Sequence, residues 1–312
     1  MTKLRLEQTC RRHATALVTA AALLLGMSSV HAQEAFKTPE EAATALAAAV
    51  KSGGTKDMFR VLGRDGVDIM FSGDDVADRE ARERFVGAYD SKHNVKVDGD
   101  KATLVVGTDD FPLPIPLVRQ GTGNWKFDTA AGRLEVLYRR IGRNELDAIQ
   151  TSLAYVDAQN EYAEKDRTGA GPGVYARRFI SSAGKKDGLY WPASEGDESP
   201  LGELVAQASE EGYRAGARRT PYHGYYYRIL TRQGPNAPGG ILDYVVKDKM
   251  IGGFALLAYP AEYGNSGVMT FLVNHSGTVY QKDLGNATAA QAGLMTWFNP
   301  DQTWKKVDVS RR

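Results

Sequence analysis

Apolar positions recur at helical spacing in the first part of the chain. The segment Thr38-Pro39-Glu40-Glu41 favours a helix start, because Thr38 can cap the first turn, proline suits the first helical position, and Glu41 can complete a capping box. Gly53-Gly54 then ends this helix. The same spacing predicts a short helix that contains Met58, Phe59 and Leu62, and a longer one from Val76 to Tyr89.

Beyond residue 92 the period of the apolar positions changes from about four to two. Val95 and Val97 alternate up to Asp98-Gly99-Asp100, and the alternation continues after it, which predicts a β-hairpin. In the following run, residues 111–118, proline occupies alternate positions. Because proline cannot donate to a sheet, this run is predicted to lie at a sheet edge. Trp125 and Phe127 predict a further strand.

The second half of the chain combines one long helix with several strands. Apolar residues spaced three, four and three apart predict a helix from Leu134 to about Ala163, with a kink or break at Gly142. Strands separated by short turns follow, which predicts an antiparallel meander that one helix could cover on one face. They are expected over residues 225–231, 244–246, 253–259, 268–273 and 278–282.

These elements predict an α+β fold in two domains. Residues 33–132 would form an amino-terminal domain, in which a helical layer covers a small antiparallel sheet, similar to nuclear-transport-factor-like or cystatin-like folds. Residues 133–312 would form a second domain, with the long helix packed on the antiparallel meander.

Residues 1–32 have the features of a secretory signal peptide. Basic residues precede an uncharged run from Ala14 to Met27, and Val30-His31-Ala32 has small residues where a signal peptidase recognises its site. The run is shorter than the ~20 residues that a membrane-spanning helix requires. We therefore expect Sec-type export to the periplasm, cleavage after Ala32, and a mature chain that does not span the membrane.

Cleavage at this position would also change the charge and the cysteine content. It removes four basic residues and one acidic residue, so the formal net charge changes from +1 to −2 and no nucleic-acid-binding surface is indicated. It also removes Cys10, the only cysteine, so the mature protein would be disulfide-free.

Motifs for catalysis, metals and cofactors are incomplete. Ser182-Ala183-Gly184-Lys185 matches S-x-x-K without its companion motifs, and Gly264-Asn265-Ser266-Gly267 is one residue short of a nucleophile elbow. The pair Asp74-Asp75 does not follow the calcium-loop pattern, and no histidines have zinc-motif spacing. No complete nucleotide-binding loop occurs. We therefore expect no catalytic residue, metal or cofactor that the sequence can name.

The strongest candidate for a ligand site is Tyr222-His223-Gly224-Tyr225-Tyr226-Tyr227-Arg228. Tyr222, His223, Tyr226 and Arg228 could orient a sugar or peptide against aromatic surfaces, and Trp191, in a predicted loop, could join them. The competing interpretation is packing, because tyrosine favours strands. Tyr225 and Tyr227 would then share the core face with Ile229, and Tyr226 could lie beside Arg228 on a helix-free face.

Several segments resemble the globular half of type IV pilins and pseudopilins, over residues 143–285. The segments are Tyr155 to Tyr162, Gly224 to Tyr227, and Ala258-Tyr259-Pro260 followed by Gly264, Gly267 and Phe271. This resemblance implies a long helix that leads into a four-stranded sheet.

The mature chain also resembles a family of uncharacterised secreted proteobacterial proteins, a domain of unknown function. The similar segments are Pro114 to Leu117, Tyr138 to Leu146, and Tyr280 to Gly285. This resemblance implies export and architecture, but it assigns no activity.

Together these features predict an exported periplasmic protein. Its expected function is that of a non-enzymatic binding or envelope-assembly module, which presents a sheet face or edge to an envelope protein or to cell-wall glycan. The alternatives are a periplasmic hydrolase or a small-ligand-binding protein, with its site near His223 and the adjacent tyrosines, or an apolar ligand pocket in the amino-terminal layer.

Overall fold

The computed structural model describes residues 33–121, 123–192, 198–214 and 220–308. The predicted signal peptide, residues 1–32, lies outside these ranges. Among the described residues, no helix is both long enough and apolar enough to cross a membrane.

The described residues form the α+β fold that the sequence predicts. The helices are α1 (Pro39–Ser52), α2 (Thr55–Leu62), α3 (Val67–Met70), α4 (Asp75–Ser91), α5 (Thr129–Glu164), α6 (Gly202–Glu210) and α7 (Thr288–Leu294), with 3-10 turns at Arg64–Gly66 and Gly285–Ala287. The strands are β1 (His93–Asp98), β2 (Lys101–Val106), β3 (Phe111–Pro112), β4 (Leu117–Arg119), β5 (Trp125–Phe127), β6 (Tyr225–Leu230), β7 (Arg232–Gln233), β8 (Leu242–Asp243), β9 (Val245–Val246), β10 (Lys249–Met250), β11 (Ala255–Pro260), β12 (Met269–Asn274), β13 (Val279–Asp283) and β14 (Lys305–Lys306).

In the amino-terminal part, helices pack on a small antiparallel sheet with the strand order β1-β2-β4-β5, and β3 pairs with β2. The predicted helix start is confirmed, because the Thr38 hydroxyl accepts a hydrogen bond from the Glu41 amide at 3.1 Å. The predicted hairpin is also confirmed, with β1 and β2 joined at Gly99, whose φ is +57°. Leu46, Val61 and Leu104 lie in the apolar core between the helices and this sheet.

The prediction that residues 111–118 lie at a sheet edge is wrong for part of the run. Phe111–Pro112 forms the short strand β3, but Leu117 begins β4, which lies between β2 and β5. Pro116 immediately precedes β4, so no residue within the strand lacks an amide hydrogen.

The long helix α5 joins the two parts of the molecule. It continues through Gly142, where the sequence analysis predicts a kink or break, and the predicted domain boundary after residue 132 lies near its start. Its first turns contact the amino-terminal part, where Arg133 pairs with Asp68. Its later turns bury Ile149, Tyr155 and Tyr162 in the second apolar core.

The second sheet is antiparallel, with the strand order β14-β13-β12-β11-β6. Its four longer strands correspond to four of the five strands predicted for the meander, and the short β14 adds a fifth strand. The strand predicted at residues 244–246 is β9, which pairs with β10 in a separate sheet. Helix α5 packs on β11, β12 and β13, and α7 contacts β11. The sheet therefore lies at the centre of the carboxy-terminal part, with β6 at one end of it.

Two glycines of α5 provide a matched test of this packing. A Cβ atom at Gly132 would lie 2.6 Å from Cα of Ile115 and 2.7 Å from the carbonyl oxygen of Pro114, so Gly132→Ala must displace the backbone before β4. We expect this variant to lower the free energy of unfolding by roughly 1–3 kcal/mol. A Cβ atom at Gly142 would have no neighbour within 4 Å. Gly142→Ala should therefore raise stability by up to about 1 kcal/mol, since alanine favours the helix. Urea unfolding measures both, and equal effects of the two substitutions would contradict the close approach at Gly132.

Candidate functional site

A cavity of about 480 Å³ lies beside β6, between elements that are far apart in the sequence. We call it the tyrosine cavity, because Tyr155 of α5, Tyr226 and Tyr227 of β6, and Tyr259 of β11 line it. Its volume falls in the range of small-molecule sites. Apolar side chains complete much of the wall: Phe179, Ile180, Leu201, Leu204, Val205 and Leu256.

Consecutive residues of β6 reach the tyrosine cavity because it lies along the edge of the strand. Neighbouring side chains in a strand point to opposite faces, yet Tyr226, Tyr227 and Arg228 all line the cavity. Tyr226 also packs against Tyr259, its partner on β11, with ring centroids 5.6 Å apart. The cavity thus lies at the end of the sheet and is lined by aromatic rings from its last two strands.

One tyrosine of the cavity wall, Tyr227, has a deeply buried hydroxyl. The Tyr227 hydroxyl is buried near Thr151, but it makes no hydrogen bond of normal geometry with the described residues. Burial raises the pKa of Tyr227, so the hydroxyl stays protonated and can donate. An unpaired buried hydroxyl is unfavourable, and the oxygen of Tyr227 exposes almost no surface to a ligand in the cavity.

Helix α6 forms the wall of the cavity across from the sheet residues. Leu204, Val205 and Ala208 line the cavity at helical spacing, yet no residue of α6 is fully buried. Leu204 and Val205 are only partly buried where they pack against the second apolar core, which contains Leu201 just before the helix. Ala206, which follows Val205, is exposed to solvent.

The structure brings together three of the five residues that the sequence analysis names as a ligand site. Tyr222, Tyr226 and Arg228 line the tyrosine cavity, whereas His223 lies next to it without being part of its wall. Trp191 is 5 % exposed and packs in the second apolar core. Its ring faces the cations of Arg167 and Lys186 instead of the cavity.

Arg228 has a structural partner as well as a place at the cavity. Its guanidinium donates hydrogen bonds to the carbonyl oxygens of Ala292, Gly293 and Met295, at the end of α7. The expectation that Tyr226 and Arg228 lie on a helix-free face is therefore wrong. Helix carbonyls at a carboxyl end attract cations, so Arg228 holds α7 against β6.

His223 is held between two carboxylates. Its Nδ1 lies 2.9 Å from an Asp147 oxygen of α5, and its Nε2 lies 2.7 Å from a Glu211 oxygen just after α6. Burial lowers the pKa of His223, but the hydrogen bonds to Asp147 and Glu211 outweigh it and raise the pKa to about 9. The imidazole is therefore a cation at neutral pH, with both of its N–H groups donating.

This arrangement does not resemble a metal centre. The two carboxylates lie at opposite ring nitrogens, so the three side chains do not converge on one point. No group of three or more His, Cys, Asp or Glu side chains in the described part of the chain is placed to hold a metal ion.

Asp74 fixes the backbone next to His223 and was not identified as a site residue from the sequence. One oxygen of its fully buried carboxylate accepts hydrogen bonds from the Tyr213 hydroxyl and the Gly224 amide, both at 2.9 Å. Its other oxygen caps α4 at the amide of Ala77. The start of β6 is thus tied to the amino-terminal part. The only sequence signal was the cap position before α4, which does not reveal the distant partners.

The pKa of His223 leads to a prediction about stability. In the folded protein the pKa of His223 is raised above 6.5 to about 9. The contribution of His223 to the free energy of unfolding is therefore fully present below pH 6.5 and is lost as the pH rises through about 9. We expect the stability difference between wild type and His223→Gln to decrease by roughly 2–3 kcal/mol across this interval. Chemical unfolding at a series of pH values measures it. His275→Gln is the control, because burial lowers the pKa of His275. The stability difference between wild type and His275→Gln should therefore stay constant above pH 7. A constant difference for His223→Gln would contradict the ionised cluster.

Comparison with known proteins identifies one family. A family model described as "Protein of unknown function (DUF2950)" matches residues 33–307, which include the whole tyrosine cavity and the residues around His223. No curated protein and no solved structure is significantly similar to the chain. Because the family model covers both parts of the fold, the chain belongs to the DUF2950 family of proteins of unknown function.

Proposed function

We propose that this protein is an exported, periplasmic, non-enzymatic binding protein that takes an apolar or aromatic group of its ligand into the tyrosine cavity. The observation that carries this proposal is the cavity itself, about 480 Å³ in volume and lined by tyrosines and aliphatic side chains. Ligand sites are typically mostly apolar, with a few polar groups that fix orientation.

The aromatic and aliphatic side chains of the cavity indicate which ligand group it accepts. Tyr226 and Tyr259 offer ring faces against which an aromatic group of the ligand can pack. The aliphatic wall favours an apolar or aromatic group over a sugar, whose hydroxyls would lose hydrogen bonds to water there. Of the expected partners, an envelope protein therefore suits the cavity better than cell-wall glycan.

The state of His223 favours binding over hydrolysis. A general base needs a free ring nitrogen within reach of the proton that it removes. Both nitrogens of His223 are paired with carboxylates, and its raised pKa keeps it protonated at neutral pH. Asp147 and Glu211 are each paired with His223. The cluster therefore suits a structural role at the end of the cavity.

Export is supported by the sequence on both sides of residue 32. The basic start, the uncharged run and Val30-His31-Ala32 are typical of a signal peptide, and the family match begins at residue 33. Secretion through the Sec route would deliver the chain to the periplasm, where an envelope partner is available.

Filling the cavity tests the binding proposal. Val205→Trp places a large side chain into the cavity, whereas Ala206→Trp places it on the exposed side of the same helix. We expect the wild type and Ala206→Trp to bind the fluorescent apolar probe anilinonaphthalene sulfonate equally. Val205→Trp should weaken this binding by about tenfold or more, because the probe and the indole compete for one space. Fluorescence titration measures the affinities. Equal binding by both variants, or no binding by the wild type, would contradict the proposal.

Export leads to a separate prediction. The mature protein should begin at Gln33 and appear in the periplasmic fraction. Ala32→Trp should cause the full-length precursor to accumulate, because a large residue blocks the peptidase site. Cell fractionation and mass spectrometry of the amino terminus measure both results. A wild-type protein that keeps residues 1–32 would show that the cleavage prediction is wrong.

A further inference from the structure

The strand β6 is an edge strand of the second sheet. It pairs with β11 on one side, and no described strand pairs with its other edge, which we call the β6 edge. At the start of this edge, the N–H and C=O of Tyr225 exchange hydrogen bonds with Tyr222, at 3.1 Å and 2.9 Å. At its other end, the carbonyl of Thr231 accepts a hydrogen bond from the Tyr244 amide at 2.9 Å. Both ends of the β6 edge are therefore closed by the chain itself.

Between these two ends, main-chain groups remain open. In an antiparallel strand, the N–H and C=O of one residue point to the same side, and successive residues alternate between the two sides. The groups of Tyr225 and Thr231 point away from β11, so those of Tyr227 and Ile229 do as well. The bond from the Ala261 amide to the Gly224 carbonyl fixes the same register from the β11 side.

The main-chain groups of Tyr227 and Ile229 on this side have no partner among the described residues. Two donors and two acceptors thus lie in a row, spaced to receive a short extended chain. Natural proteins usually protect such an edge with charges, proline or a bulge. The only charged residue of β6, Arg228, is instead directed to the end of α7.

The tyrosine cavity lies directly along this open stretch. Tyr226, Tyr227 and Arg228, which flank the open groups, line the cavity, and Leu204 and Val205 of α6 face them from the other wall. A chain that paired with the β6 edge would therefore direct alternate side chains into an apolar space.

We propose that the β6 edge and the tyrosine cavity together bind an extended segment of another protein. The segment adds a strand to the sheet through the main-chain groups of Tyr227 and Ile229, and it inserts an apolar or aromatic side chain into the cavity. This inference rests on the proposed function, because it assigns the ligand of the same cavity to the class of extended peptides.

The test begins with peptides that the cavity selects. A display library of random dodecapeptides is selected on the wild type and counter-selected on the Val205→Trp variant. The enriched peptides are synthesised in two series, each N-methylated at alternate amides. Because only alternate amides of a paired strand face β6, one series should lose at least about tenfold in affinity and the other should stay within about twofold.

A variant of the protein tests the same hydrogen bonds from the other side. Ile229→Pro removes an amide that points away from β11, a position at which a strand tolerates proline. It should weaken peptide binding by at least about tenfold and leave anilinonaphthalene sulfonate binding unchanged, which also shows that the cavity is intact. Ile229→Val keeps the amide and serves as the matched control. If the proline variant does not fold, the two N-methylated series still decide the question.

The outcomes separate this inference from the proposed function. If the apolar probe binds in the cavity but no peptide is enriched, or if both N-methylated series bind equally, the peptide inference is overturned and the binding function stands. If neither probe nor peptide binds, both fail. If sedimentation shows that the wild type forms a dimer that Ile229→Pro dissociates, the β6 edge serves a second copy of this chain and the inference is also overturned.

Discussion

The buried carboxylate of Asp74 is the contact on which the position of β6 depends. A carboxylate that is removed from water is stable only when donors surround it, and here two of the three donors come from distant parts of the chain. The Ala77 amide belongs to α4, the Tyr213 hydroxyl follows α6, and the Gly224 amide immediately precedes β6. Loss of any one donor would leave part of a buried charge unpaired, so these elements are held together as a unit.

A second polar contact holds the two parts of the molecule in one orientation. Arg140 of α5 donates to the carbonyls of Asp68 and Ile69 and to the side chain of Asn265, each at 2.6 Å. Asn265 also donates to the Phe71 carbonyl at 2.7 Å. Apolar contacts stabilise each of the two cores but are not directional, whereas these hydrogen bonds require one geometry. The orientation of the parts is therefore specified by polar groups.

Features that depend on neighbouring residues could be predicted from the sequence. The cap at Thr38 and the turn at Gly99 need only the local chain, and both are as expected. The tyrosine-rich segment is also the predicted ligand site, and three of its tyrosines, Tyr222, Tyr226 and Tyr227, line the cavity. Tyrosine in a strand next to a basic residue is a local signal, although it does not distinguish a core from a cavity wall.

Features that depend on tertiary packing could not be predicted. The carboxylates around His223 come from α5 and from the residues after α6, and nothing near His223 in the sequence indicates them. The place of β4 inside its sheet and the contact of Arg228 with α7 depend likewise on strand order and helix docking. The open main-chain groups of β6 are invisible to side-chain patterns, because every residue has the same N–H and C=O.

The two walls of the tyrosine cavity differ in how firmly they are held, and this difference suits a ligand that forms a strand. One wall is β6, which is fixed by β11, by Asp74 through Gly224, and by Arg228 through α7. The other wall is α6, which has no buried residue. A preformed strand edge lowers the entropy that binding must overcome, while a wall whose own side chains are only partly buried can adjust to side chains of different size. Main-chain pairing with β6 would therefore give affinity that does not depend on the sequence of the ligand, and the tyrosine cavity would select segments that carry an apolar or aromatic side chain.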